Sequence, residues 1–124
     1  MKRIILFTII TVIFSFAGQI QNIYQSLKPW APLNIQIDKG HLIITTKESR
    51  VTDTIFLSMI ETGICMDYYF NKNLLNGIKD IYILNRFNHQ GYVLDGAADI
   101  CSAIGKMKSD NKIKWYILSK THLY

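Results

Sequence analysis

The most reactive side chains of this 124-residue chain belong to two cysteines and three histidines: Cys65, Cys101, His41, His89 and His122. Such groups support nucleophilic catalysis, proton transfer or zinc binding when several of them converge. None of the spacings typical of zinc proteases, serine hydrolases, P-loops or dinucleotide-binding turns occurs in the sequence. The sequence therefore predicts no catalytic residues, no cofactor-binding residues and no metal ligands, and it disfavours an enzyme.

The N-terminus has the pattern of an export signal. A basic start precedes an uncharged, strongly apolar stretch at residues 4–17, which has the length of a signal-peptide core and is too short to span a bilayer. Ser15 and Ala17 have the small side chains that signal peptidase accepts, which predicts cleavage between Ala17 and Gly18. The alternatives are a buried N-terminal helix and an uncleaved membrane anchor. The predicted location is periplasmic or secreted.

Cleavage would change what the composition implies. The chain would lose 17 of its 124 residues, and its formal charge would fall from +5 to +3 with the loss of Lys2 and Arg3. A charge of that size is weak support for nucleic-acid binding. We therefore expect a protein partner, no nucleic acid and no stable membrane span after cleavage. An excess of Ile over Ala and of Lys over Arg is typical of an AT-rich bacterial genome.

The two cysteines predict one disulfide. Cys65 and Cys101 are the only thiols, and an even pair in an exported chain meets an oxidising compartment. Such a bridge would stabilise the fold by about 3–4 kcal/mol in the chain-entropy account. A thiol nucleophile or a metal ligand is the alternative, but neither cysteine has a second cysteine or a histidine at a suitable spacing.

Hydrophobic periodicity predicts the elements of the first half. After the signal, residues 18–32 are expected to form a short helix and a connector, with a single α+β domain over residues 33–124. Alternating apolar residues predict strands at 33–37 and 41–46, joined by a turn at 38–40. A helix is then expected to begin near Thr52 and to end close to Cys65.

The second half repeats this plan. Strands are predicted at 78–84 and 92–94, a helix at 97–104, a loop at 106–112 and a final strand at 113–118. Apolar residues on both faces of the 78–84 strand indicate a central place in the sheet. The predicted fold is α+β: an antiparallel sheet of two hairpins and a C-terminal strand, with two helices on one face (ββα-ββα-β). Each helix carries one cysteine, so the fold and the disulfide support each other.

The connection between the second pair of strands is the candidate binding loop. It places Arg86, Phe87, Asn88 and His89 together, and arginine and aromatic residues are frequent in binding hot spots. The alternative is a polar hairpin tip with Phe87 tucked beneath it. Two further aromatic groups, for which packing is the default interpretation, are Trp30 and residues 68–70.

These observations predict a small exported protein that is stabilised by a disulfide and acts by binding another protein. The roles considered are an inhibitor, an immunity-type protein and an accessory factor of the cell envelope. One alternative is a small envelope hydrolase that uses a free cysteine or an acid/histidine pair. The other is a membrane-tethered form that retains its N-terminus.

Overall fold

The computed structural model of the protein describes residues 17–124, so the predicted signal segment lies outside it except for Ala17. The described chain begins in a helix, α1, over residues 17–26, and a short 3-10 turn at Lys28–Trp30 follows. Ile23 and Leu27 are fully buried. Residues 18–32 therefore contribute to the same hydrophobic core as the rest of the chain.

Five strands form one mixed sheet whose spatial order is the order of the chain. The strands are β1 (Asn34–Asp38), β2 (His41–Thr45), β3 (Asp80–Leu84), β4 (Gly91–Leu94) and β5 (Thr121–Leu123). The two hairpins and the β4/β5 pair are antiparallel, and β3 has the predicted central position. The β2/β3 pair is parallel, so the prediction of an antiparallel sheet is wrong there. A helical crossover joins these two strands, and adjacent strands joined in this way run in the same direction.

One long helix, α2, forms that crossover over residues 53–70. It is α-helical at Asp53–Ser58, π-helical at Met59–Cys65 and α-helical again at Met66–Phe70. The Thr52 hydroxyl oxygen caps it by accepting a hydrogen bond from the Ile55 N–H at 3.2 Å. The predicted end near Cys65 is too early, because the helix continues through the aromatic residues that the sequence placed at its exit.

Two further helices, α3 (Ala98–Ile104) and α4 (Asp110–Ser119), connect β4 to β5. Residues 113–118 were expected to form the last strand, and this expectation is wrong. Ile113 and Ile117 are buried while Trp115 between them is 65% exposed. A strand would have placed all three side chains on one face, whereas a helix places the isoleucines four residues apart on one side. The alternation in the sequence was therefore a coincidence of helical spacing.

The core lies between one face of the sheet and the helices. Alternate side chains of the central strands, such as Leu42, Ile44, Ile81 and Ile83, are fully buried there. The opposite face carries no helix among residues 17–124, and we refer to it as the open face. Within the same range, no helix combines the length and the apolarity needed to cross a membrane.

The predicted disulfide is confirmed. Cys65 in α2 and Cys101 in α3 are bonded, with their Cα atoms 5.0 Å apart and both residues fully buried. The hydroxyl of Tyr69 donates a hydrogen bond of 2.7 Å to the Cys101 carbonyl oxygen. The helix after the first hairpin is thus joined to the helix after the second, as the sequence predicted.

Candidate functional site

The connection between β3 and β4, residues 85–90, forms a hairpin tip organised by one buried side chain. Asn85 is 5% exposed. Its Oδ1 accepts hydrogen bonds from the N–H groups of His89 and Gln90 at 2.9 and 3.1 Å. Its Nδ2 donates to the carbonyl oxygen of Ser49 at 3.0 Å. A loop that would otherwise leave these polar groups unpaired is therefore held in one conformation.

The hairpin tip is also bonded to the segment that follows β2. Gln90 exchanges two hydrogen bonds with the backbone of Val51: its Nε2 donates to the Val51 carbonyl oxygen at 2.8 Å and its Oε1 accepts from the Val51 N–H at 2.7 Å. The N–H of Arg86 donates to the carbonyl oxygen of Glu48 at 2.8 Å. The segment after β2 thus supports the hairpin tip at two points, Glu48 and Val51.

Three of the four predicted loop residues come together at the surface of the hairpin tip. Phe87 is 60% exposed and is not tucked beneath the loop. The guanidinium carbon of Arg86 lies 5.5 Å from the centre of its ring, and the His89 ring lies 6.4 Å away. The Asn88 side chain points instead toward the sheet, where its Oδ1 accepts a hydrogen bond of 2.7 Å from the Thr45 hydroxyl.

The exposed side chains of the hairpin tip combine two kinds of binding chemistry. Phe87 offers an apolar surface, and Arg86 beside it offers a permanent positive charge with several donors. Because the backbone is already fixed, a partner would lose little affinity to the ordering of the loop. The hairpin tip is therefore suited to recognition of another macromolecule.

The open face contains two histidine–aspartate pairs that sequence reasoning missed. His41 Nδ1 lies 2.7 Å from Asp80 Oδ1, and His122 Nδ1 lies 2.8 Å from Asp95 Oδ2. The partners of each pair are far apart in sequence, and the strand pairing brings them together. The His41–Asp80 contact could have been predicted only from the parallel register of β2 and β3, in which His41 lies opposite Asp80. Both imidazoles use Nδ1, which leaves Nε2 for proton exchange.

Tyr82 lies beside these pairs on the open face. Its ring packs edge-on against His41 at 5.7 Å and against Tyr124 at 6.0 Å. Partial burial raises the pKa of the Tyr82 hydroxyl, and the nearby charges of Asp80, Tyr124 and Asp95 raise it further. The open face is thus a polar surface with aromatic side chains, where Tyr82 stays protonated at neutral pH.

A groove of about 400 Å³ runs between α2 and α4. Its lining includes Glu61, Asp110 and Lys114. Partial burial raises the pKa of the Glu61 carboxyl, and the negative charge of Asp110 adds to this effect. The groove is open to solvent and mostly polar, so it lacks the enclosed apolar lining of a typical small-molecule site.

The other aromatic residues singled out in the sequence do not form one surface. Trp30 packs against the core and Tyr68 is buried, whereas Phe70 is 86% exposed at the end of α2. In residues 17–124, no three His, Cys, Asp or Glu side chains come together in a way that could hold a metal ion.

Comparisons with protein-family models, with curated proteins and with solved structures return no match for this chain.

Proposed function

We propose that this protein is an exported, disulfide-stabilised binding protein whose hairpin tip contacts another protein. The observation that carries the proposal is the combination of a rigid loop backbone with Phe87 60% exposed and Arg86 beside its ring. An inhibitor, an immunity-type protein or an envelope accessory factor would each act in this way. The partner surface that fits is an apolar pocket for Phe87, with a carboxylate at its rim for Arg86.

Export to the periplasm or beyond is supported by two independent features. Residues 4–17 carry no charge and follow a basic start, as in a signal peptide. The chain also uses its only two thiols in a buried disulfide, which is typical of oxidising compartments. Cleavage after Ala17 would leave all the described core residues in the mature chain, because the first of them is Ile23.

The N-terminal helix lies at the opposite end of β3 from the hairpin tip. The Nε2 atom of Gln19 donates hydrogen bonds to the carbonyl oxygens of Leu74 and Asn76, at 3.2 and 2.8 Å, just before β3 begins. The hairpin tip follows the other end of that strand. A retained N-terminal anchor would therefore leave the hairpin tip directed away from the attachment point, so the proposal applies to both the cleaved and the tethered form.

The deciding experiment is affinity capture from an envelope extract with two matched variants. We expect the double substitution R86A/F87A to abolish recovery of the partner without lowering the melting temperature, because both side chains are exposed. F70A removes another exposed phenylalanine, at the far end of α2, and should leave capture unchanged. Equal recovery with R86A/F87A would refute the role of the hairpin tip, and a lowered melting temperature would show that the loop is structural.

Intact-mass measurement of the protein recovered from cells tests export separately. A product that begins at Gly18 in the periplasmic or extracellular fraction is the expected result. A full-length product in the membrane fraction would indicate the tethered form. A reduced, full-length product in the cytosol would contradict the proposal.

The histidine–aspartate pairs favour a second candidate, a small hydrolase. In such an enzyme Asp80 would orient His41 through Nδ1 while Nε2 accepts a proton from the attacking group. The version that uses a free cysteine has no thiol available when Cys65 and Cys101 are bonded. Hydrolysis of p-nitrophenyl esters that is lost in H41A or H122A would support this candidate. A rate that is unchanged in both variants would remove it.

A further inference from the structure

Positive charge is concentrated at the C-terminal end of the described chain. Residues 106–124 contain five lysines and one aspartate, whereas residues 17–105 contain seven basic and eight acidic residues. The whole net positive charge of the described protein thus lies in the last segment. These lysines are all exposed: Lys106, Lys108, Lys112, Lys114 and Lys120.

An exposed tryptophan lies in the middle of this segment. Trp115 is 65% exposed, and it projects from the side of α4 opposite the buried Ile113 and Ile117. The Lys114 Nζ atom lies 5.7 Å from the centre of the ring. Trp115 therefore presents a large apolar ring with a polar N–H to solvent. We refer to Trp115 and the five lysines as the basic ridge: Lys106 and Lys108 lie in the loop before α4, Lys112 and Lys114 in α4, and Lys120 just after it.

We propose that the basic ridge docks on an anionic lipid surface, with Trp115 at the level of the lipid headgroups. Tryptophan is enriched at membrane–water interfaces because its ring is apolar and its N–H is polar. Lysine stems can cover apolar surface while their ammonium groups stay near phosphates. Each lysine near the surface of a negatively charged bilayer increases the binding affinity about fivefold, the equivalent of roughly 1 kcal/mol per charge. This surface is separate from the hairpin tip and does not depend on the proposed protein partner.

The composition of the ridge favours lipid over nucleic acid. All five cations are lysines, and residues 106–124 contain no arginine. Lysine acts as a compact point charge, which suits a diffuse anionic surface, whereas arginine suits bidentate phosphate and base contacts. Glu61 and Asp110 share the groove with Lys114 and offset part of its charge. The other four lysines therefore supply most of the attraction.

Fluorescence of Trp115 with vesicles tests the proposal on the full chain. In a W30F background Trp115 is the only tryptophan, so its emission reports contact by α4 itself. We expect a blue shift, with quenching by brominated acyl chains, in vesicles of equimolar phosphatidylcholine and phosphatidylglycerol. Phosphatidylcholine alone should give neither, and added salt should reverse both. If W30F does not fold, loss of the blue shift in W115F replaces this measurement.

Two triple variants of equal charge separate the ridge from general attraction. K106Q/K108Q/K112Q should weaken anionic-vesicle binding about a hundredfold, at about fivefold per lysine. K39Q/K47Q/K79Q removes three exposed lysines elsewhere and should weaken it far less. Equal losses in the two variants would overturn the proposal, and so would equal shifts with the two vesicle types. A blue shift of the Trp115 emission with a DNA duplex, at a salt concentration at which vesicles give no shift, would also overturn the proposal.

Discussion

The two hairpins of the sheet are built in different ways. The β1–β2 hairpin turns in two residues, Lys39 and Gly40, which both have positive φ (52° and 86°). Such a turn follows the natural twist of the strands and presents little side-chain surface. The β3–β4 hairpin turns in six residues, and Asn85 fixes their backbone by side-chain hydrogen bonds. The second hairpin thus contains more chain than reversal of direction requires.

This difference is the reason for placing the proposed binding site at the hairpin tip. A two-residue turn is explained by backbone geometry alone. The longer hairpin tip is fixed in one conformation by a buried asparagine and by hydrogen bonds to the segment after β2. In this conformation Phe87 is exposed to solvent. Structure that is costly to order and leaves an apolar side chain exposed is typical of a binding loop.

The largest expected effect is from alanine at Gly91, the first residue of β4. A Cβ atom there would overlap the Ile83 carbonyl oxygen and lie 2.9 Å from the Leu84 Cα, on the neighbouring strand. We expect G91A to lower the free energy of unfolding by about 4 kcal/mol or more, measured by urea denaturation. G40A is the matched change in the first hairpin. Its Cβ would meet the flexible Lys79 side chain and lie 3.2 Å from the Gly77 carbonyl oxygen, so a smaller loss of about 1–2 kcal/mol is expected. Equal losses would show that the hairpins do not differ in this way.

Removal of the disulfide tests how strongly the two halves are linked. C65A/C101A should lower the free energy of unfolding by about 3–4 kcal/mol, because the bridge closes a loop with a sequence separation of 36. Thermal unfolding with and without reductant should show the same loss in the native protein. A reductant effect on the double variant would point to another cause.

Substitution of Asn85 tests the organisation of the hairpin tip. N85A leaves the N–H groups of His89 and Gln90 and the Ser49 carbonyl oxygen without their partner, so a loss of about 2–3 kcal/mol is expected. N73A provides a control, because the Asn73 side chain bonds only to Asn76 at the surface. Hydrogen exchange should rise at residues 85–90 in N85A. Unchanged exchange there would contradict the supporting role of Asn85.

The smallest expected effect concerns Glu61 on the helix that follows the first hairpin. Its carboxyl has a raised pKa, so its ionisation opposes folding. The contribution of Glu61 is most favourable below its unfolded pKa and is lost as the pH rises through the higher folded value. E61Q should therefore increase the free energy of unfolding at neutral pH by about a few tenths of a kcal/mol after solvent screening, and leave it unchanged at pH 3. Urea denaturation at the two pH values measures the difference. E48Q serves as the control beside the hairpin tip. A stabilisation that persists at pH 3 would exclude ionisation as its cause.

Local sequence patterns predicted most of the helices and strands. Features that depend on contacts between residues distant in sequence could not be predicted. The hairpins, the start of α2 at Thr52, the central position of β3 and the disulfide followed from periodicity, capping and cysteine count. The prediction of a strand at 113–118 was wrong because the spacing of its isoleucines fits both a strand and a helix, and only tertiary packing selects between the two. The prediction of an antiparallel sheet was wrong for β2 and β3, because the relative direction of two strands depends on the path of the helix that connects them.

The candidate site shows the same division. Arg86, Phe87 and His89 were predicted from residue type and loop position, and the structure places their side chains together at the surface, while their binding role stays a prediction. The role of Asn85 could not be found, because its partners at Ser49 and in the hairpin tip meet only in the folded chain. The same reason applies to His41 with Asp80. Trp115 was expected on the same face of a strand as Ile113 and Ile117, whereas in the helix it is exposed and they are buried.

The strand order has a consequence for how the chain can fold when its N-terminal part is available first. Each strand pairs with the strand before it in the chain. The sheet can therefore form by adding strands one after another at the same edge, and no strand has to insert between two that are already paired. Two helical segments interrupt this extension: α2 precedes β3, and α3 and α4 precede β5. The finished sheet has two edges, β1 and β5, and β5, with three residues, offers the shorter template for unwanted pairing with a second chain.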